Sequence, residues 1–167
     1  MRQYKPIHAD LLAAQKYVYE PNGLLCSDIV HEDESEEYGA CTFKMNGRVI
    51  RFRVAKITPT KIGQFVTFWK RIAEGPIMPY DLRDAFDLLV VSVRTQHHFG
   101  QYVFPKDVLW QNGLLSKNGI GGKRAMRVYP PWDIADNAQA KKTQKWQNIY
   151  FVELHPQINT AKLQKLF

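Results

Sequence analysis

Apolar and polar positions alternate over residues 40–45, with Cys41, Phe43 and Met45 set against Ala40, Thr42 and Lys44. That is the period of a half-buried strand. Asn46-Gly47 follows. Both residue types tolerate positive φ, so the pair predicts a two-residue hairpin turn. The return strand sets Ile50, Phe52 and Val54 against Arg51 and Arg53, and parity carries Lys56 onto the Val54 face. Thr58-Pro59 then reads as an N-cap and a first-turn proline. The pattern predicts a helix beyond it that buries Ile62, Phe65, Val66, Trp69 and Ile72 and leaves Lys61, Lys70 and Arg71 outside.

Ahead of the hairpin, Leu11, Leu12, Gln15 and Tyr19 follow helical spacing, predicting a helix over residues 6–19 that Glu20-Pro-Asn-Gly ends. The acidic run Glu32–Glu37 is expected to begin as a mobile loop and to enter the strand at Glu37. Beyond the hairpin, Phe86–Arg94 is short and almost continuously apolar, which suits a central strand buried on both faces. Gln101–Pro105 reads as a strand, 105–110 as a short helix, 116–124 as a flexible glycine-rich loop, and 124–129 as a strand stopped by Pro130-Pro131. A long helix is predicted from Asp136 to Leu154, with a weaker helix or tail closing at Phe167. The expected fold is one α/β (α+β) domain over residues 1–167, a central mixed sheet flanked by helices.

Composition narrows the function classes. The 167-residue chain carries 23 Lys+Arg against 16 Asp+Glu, a formal charge of +7. Five of those acids lie within Glu32–Glu37, so the rest of the chain is more basic still. A basic body favours polyanions through counterion release, nucleic acid foremost. No basic amphipathic helix with an apolar insertion face stands out, which argues against a membrane surface. No apolar run approaches a bilayer span, and the first dozen residues show no secretory core. Two cysteines, Cys26 and Cys41, make no disulfide framework. The expectation is a soluble protein of the reducing cytoplasm.

Familiar catalytic patterns are missing. Asn118–Arg124 lacks the spacing and the hydroxyl residue of a phosphate loop, although Lys123, Arg124 and Arg127 near it would reach phosphate. His97-His98 point to opposite faces of an extended chain, and no second ligand pair has zinc spacing. No nucleophile elbow occurs. Lys141, Lys142 and Lys145 cluster on the last long helix beside Trp146 and Tyr150, a candidate phosphate-facing surface.

The runs Glu34–Arg71, His97–Leu109, Gly122–Asp133 and Gln139–Gln147 together resemble the MepB family over roughly residues 7–154. The resemblance implies a small bacterial cytoplasmic protein, some of whose relatives are encoded beside a multidrug-efflux transporter. The arrangement also looks like the core of restriction-endonuclease-like proteins. That likeness implies an acid, any residue, then lysine on one strand edge, with magnesium held by the acids and the attacking water oriented by the lysine. Lys56 matches the lysine, but Val54 stands where the acid belongs, leaving Glu36, Glu37 or Asp87 to supply a carboxylate.

The expected function is therefore non-catalytic binding of double-stranded DNA, without a cofactor. Arg51, Arg53, Lys56 and Lys61 would form one wall of a basic cleft, Lys141, Lys142 and Lys145 the other, with Lys123, Arg124 and Arg127 nearby. One alternative is a magnesium-dependent nuclease using Lys56 and Glu37. Another is a protein-interaction or small-ligand module linked to drug resistance, with Trp110, Trp132 and Tyr129 lining its pocket.

Overall fold

The structure, a computed structural model, describes residues 5–167, so the first four residues of the expected domain lie outside the described residues. Helix α1 (Ala9–Ala14) starts where the His8 side chain accepts the Asp10 N–H, then runs on through a π-wound stretch, Gln15–Tyr19. A 3₁₀ turn, Glu20–Asn22, closes on Gly23 at φ 75°. This is the predicted first helix, broken where expected. Strand β1 (Cys26–His31) follows unforeseen: Asp28 at φ 53° and a register shift between Ser27 and Val30 spoil the alternation that would have marked it.

The hairpin is as predicted. Strands β2 (Cys41–Met45) and β3 (Arg48–Val54) pair antiparallel with Met45 opposite Arg48, and Asn46 and Gly47 turn at φ 53° and 74°. The helix expected after Thr58-Pro59 does not form. In its place stand β4 (Lys56–Ile57), β5 (Gln64–Thr67) and β6 (Trp69–Lys70), the last pairing with β7 (Met78–Pro79). Gly63 sits at φ 85°, where a Cβ would lie 2.7 Å from the Val128 carbonyl oxygen, so the chain turns there. The residues beyond it, Gln-Phe-Val-Thr, are β-branched or aromatic in part and bury Gln64 and Val66 with period two. Ile72, assigned to a buried helix face, is exposed.

Strand β8 (Leu88–Arg94) runs parallel to β3 and antiparallel to β9 (Phe99–Pro105). After α2 (Lys106–Gln111), the glycine-rich segment forms a hairpin, β10 (Ser116–Lys117) and β11 (Ile120–Gly121), rather than an irregular loop. Its Asn118-Gly119 turn carries the same signal as Asn46-Gly47. Asp81 pins the base: its Oδ2 accepts the Gly119 N–H and the Ser116 hydroxyl. The Gly119 N–H, then the Arg83 N–H and side chain, hold the Asp81 carboxyl well below the usual carboxylate range. Next come β12 (Ala125–Val128) and α3 (Ala138–Asn148), whose N-cap is Asn137, not Asp136. The predicted long helix ends at Asn148. Phe151–His155, which buries Phe151, Val152 and Leu154, becomes strand β13, and α4 (Thr160–Leu166) closes the chain. Among the described residues no helix is long and apolar enough to cross a membrane.

The result is a mixed α/β domain around a six-stranded sheet ordered β1-β2-β3-β8-β9-β13, with a smaller sheet β12-β5-β4 packed against it. One face of the large sheet buries Phe43, Ile50, Phe52 and Val90 beneath Leu11, Tyr19, Leu163 and Phe167 of the terminal helices. The other buries Leu89, Val91 and Tyr102 beneath Val66, Met126 and Val128 of the small sheet and Leu109 of α2. The central strand is covered on both faces, as its apolar run implied. At the β9–β13 edge, Gly100 lies under the Phe151 ring, where an added Cβ would meet ring carbons at 2.3 and 2.6 Å. Gly100→Ala is expected to cost about 1–3 kcal/mol through overpacking. The thermal midpoint should fall by roughly 3–10 °C, and an unchanged midpoint would show that Phe151 moves aside freely.

Candidate nucleic-acid interface

The arginine face of β3 does not look into solvent. It faces the second core layer and is closed by the first acid of the acidic run. Glu32 Oε1 accepts from Arg51 Nη1 at 3.0 Å, and Glu32 Oε2 accepts from Arg53 Nη2 at 2.6 Å. The Tyr80 hydroxyl accepts from Arg51 Nη1 at 3.1 Å and donates to Glu32 Oε2 at 3.3 Å. Arg53 Nη1 also donates to the Phe52 carbonyl at 2.8 Å. The two guanidiniums lie 4.5 Å from the Tyr80 ring centre and 5.4 Å from that of Phe68. The Arg53 side chain is 0% exposed and that of Arg51 20%. Burial pushes the Tyr80 phenol up, and the Glu32 charge adds to the shift. Arg51 and Arg53 are therefore committed to an internal ion cluster, and the expectation that they line a phosphate-facing wall is corrected. Residues 32–35 stay outside regular secondary structure, as a loop should, but Glu32 is anchored by these bonds. Glu37 lies in a 3₁₀ turn, Glu36–Tyr38, and not in a strand.

The acid-x-lysine edge does not assemble either. Strand β3 ends at Val54, which packs against the first core, whereas Lys56 belongs to β4 in the other sheet, opposite Phe65. Lys56 Nζ stands 4.6 Å over the Tyr38 ring. Among the described residues no group of three or more His, Cys, Asp or Glu side chains comes together. Burial pushes the Cys41 thiol up to about 12 and the Cys26 thiol up to about 11, far above the range of a reactive thiolate. His98 Nδ1 lies 3.0 Å from Glu153 Oε1 and its ring stacks on Trp132.

A cleft of about 600 Å³ opens between the 58–63 loop, β12 and α3, and Lys61, Lys123 and Arg127 line it. Arg127 braces the loop: its Nη1 donates to Thr58 Oγ1 at 3.0 Å and to the Ile62 and Gly63 carbonyls at 3.3 and 3.2 Å. It is a structural clamp as well as a lining residue. Two glutamines seat α3, a role the sequence pattern did not reveal. Gln147 accepts the Tyr129 N–H at 2.9 Å and donates to the Arg127 carbonyl at 3.0 Å, which is β-ladder chemistry supplied by an amide side chain. Gln144 donates to the Pro130 and Asp133 carbonyls at 3.0 and 2.9 Å. With Ala140 and Gln147 buried, Lys141, Lys142 and Lys145 fall on the exposed side of the helix.

Lys61 and Lys123 line the cleft, and Lys56 and Arg124 are exposed at the ends of β4 and β12 beside it. Among the described residues, none of Lys56, Lys61, Lys123, Arg124, Lys141, Lys142 or Lys145 forms an ion pair. Arg51, Arg53, Lys70, Arg71 and Arg94 are all neutralised by acids. The small sheet and α3 thus carry an unpaired basic surface, and Trp146 and Tyr129 are aromatic lining of its cleft.

A search of curated proteins finds no match. The family model described as MepB-like matches residues 32–153. The chain is also similar to a solved protein, the crystal structure of MepB, at 32% sequence identity and a TM-score of 0.78, covering 92% of this chain and 99% of that one. The family match spans the ion cluster, the small sheet and α3. The chain belongs to the MepB-like family.

Proposed function

We propose that this protein binds double-stranded DNA without cleaving it, through the surface formed by β4, the 58–63 loop, the start of β12 and the outer face of α3. One observation carries the reading: seven exposed cations have no carboxylate partner, Lys61 and Lys123 lining the cleft, Lys56 and Arg124 at the strand ends beside it, and Lys141, Lys142 and Lys145 on the outer face of the helix that walls it. Clustered like charges repel one another and add nothing to folding, so the arrangement has a rationale when a polyanion lies across it. Lys141 to Lys145 rise roughly 6 Å along the helix axis. That is of the order of the spacing between neighbouring phosphates along one strand. In this reading the fold is a restriction-endonuclease-like core without a metal edge, since Val54 stands where an acid would and Lys56 belongs to the small sheet. Its place is the reducing cytoplasm, where Cys26 and Cys41 remain thiols.

A duplex titration by fluorescence anisotropy over about 50–200 mM salt tests the proposal. With about four to six phosphates neutralised, log affinity should fall linearly with log salt at a slope near −4 to −5. Adding magnesium should leave a plasmid intact. A flat salt response would remove the nucleic-acid reading, and metal-dependent cleavage by the pure protein would replace it with a nuclease.

A further inference from the structure

A second cleft, of about 980 Å³, opens at the end of the large sheet where β3 and β8 begin and β9 ends, roofed by α4. Its volume lies within the range of small-molecule sites. The floor is apolar: Phe86, Leu88, Tyr150 and Leu166 line it, and Ile149 stands at its lip, 62% exposed. The rim is basic, with Arg48, Lys106, Lys162 and Lys165 against two acids, Asp87 and Asp107.

Neither acid neutralises the rim. Asp87 Oδ2 is occupied by the Val49 N–H at 2.8 Å, and no ion pair involves any of the four cations among the described residues. Lys106 Nζ donates to the Asp84 carbonyl and lies 5.0 Å from the Phe86 ring centre. Lys162 Nζ is held only by the Asn148 carbonyl, at 3.1 Å. Burial and the neighbouring Lys165 charge pull the Lys162 amine below its ordinary value. An ammonium that is partly desolvated and next to another cation lacks a counter-charge. A polyanion would satisfy the lysines but leave the apolar floor unused, and a neutral apolar molecule would do the reverse.

We propose that this cleft binds a small organic anion, its aromatic or aliphatic body against Phe86, Leu88 and Tyr150 and its carboxylate or sulfonate between Lys162 and Lys165. The site is separate from the DNA surface and does not depend on it. The probe is 8-anilinonaphthalene-1-sulfonate, compared with its uncharged relative N-phenyl-1-naphthylamine, both followed by fluorescence. The sulfonate should bind saturably at one site per chain and at least tenfold more tightly than the neutral probe. Lys162→Ala with Lys165→Ala should weaken the sulfonate at least tenfold, and Ile149→Glu, a change at an exposed position, should weaken it similarly. Lys61→Ala with Lys123→Ala, at the other cleft, should leave it unchanged. The proposal is overturned by the absence of saturable binding, by equal affinity for the neutral probe, or by a folded Ile149→Glu protein that binds as the parent does.

Discussion

Replacing Glu32 by alanine is expected to destabilise the protein by about 3–5 kcal/mol, because it leaves a buried guanidinium without its counter-charge. Glu32 is the only carboxylate that pairs with Arg51 and Arg53 among the described residues, and Arg53 has no route to water. Urea denaturation measures the loss directly, and the thermal midpoint should drop by roughly 6–20 °C. Glu32→Gln keeps the side-chain volume and one accepting oxygen but turns an NH2 donor toward the other partner, so it should recover only part of the loss. Arg53→Met removes the buried charge together with its need for a partner, leaves Glu32 with Arg51, and should also cost less than Glu32→Ala. A loss below about 1 kcal/mol for Glu32→Ala would mean that both guanidiniums remain hydrated.

The largest effect on binding is expected from Lys141→Ala, Lys142→Ala and Lys145→Ala combined. Three phosphate contacts removed should flatten the salt slope by about 2–3 units. Affinity at about 0.1 M salt should fall on the order of 100-fold. All three lysines are exposed and unpaired on α3, so stability should stay within about 0.5 kcal/mol of the parent. Arg51→Ala with Arg53→Ala should behave in the opposite way, losing stability while any protein that still folds keeps its slope. An unchanged slope in the triple lysine variant would sink the assignment of this surface.

Which parts of the molecule could be read in the chain follows from how local their causes are. The Asn46-Gly47 hairpin and the doubly buried β8 rest on turn chemistry and on a short apolar run, and both are present. Residues 58–72 misled because Phe65, Val66 and Trp69 satisfy helical spacing and strand propensity alike. The decision is made by β12, which pairs Met126 with Val66 from far along the chain. The lysines of α3 were legible as an exposed run. The two β3 arginines were not, since alternation tells which residues share a face but not whether that face is covered. One clue was available: a strand paired with the almost continuously apolar β8 sits where both faces of the sheet can be covered. An arginine there needs an acid, and the nearest cluster of acids is Glu32–Glu37.

The parallel pairing of β3 with β8 sets the order in which the molecule can assemble. Parallel neighbours require the chain to leave the sheet and return, and here the excursion carries β4 to β7 with it. The hairpin closes locally, on the scale of about 1–10 μs. The β3–β8 ladder and the small sheet wait for distant closures, which places the whole reaction in the slower regime of high contact order. Throughout that wait the β3 arginines are hydrated cations on one face of a half-built sheet. Tyr80 and the small sheet are expected to cover them late, which would place the ion cluster in the native state more than in the transition state. Its loss should then shorten the lifetime of the folded protein while barely changing the speed at which it forms, which unfolding and refolding rates in urea measure.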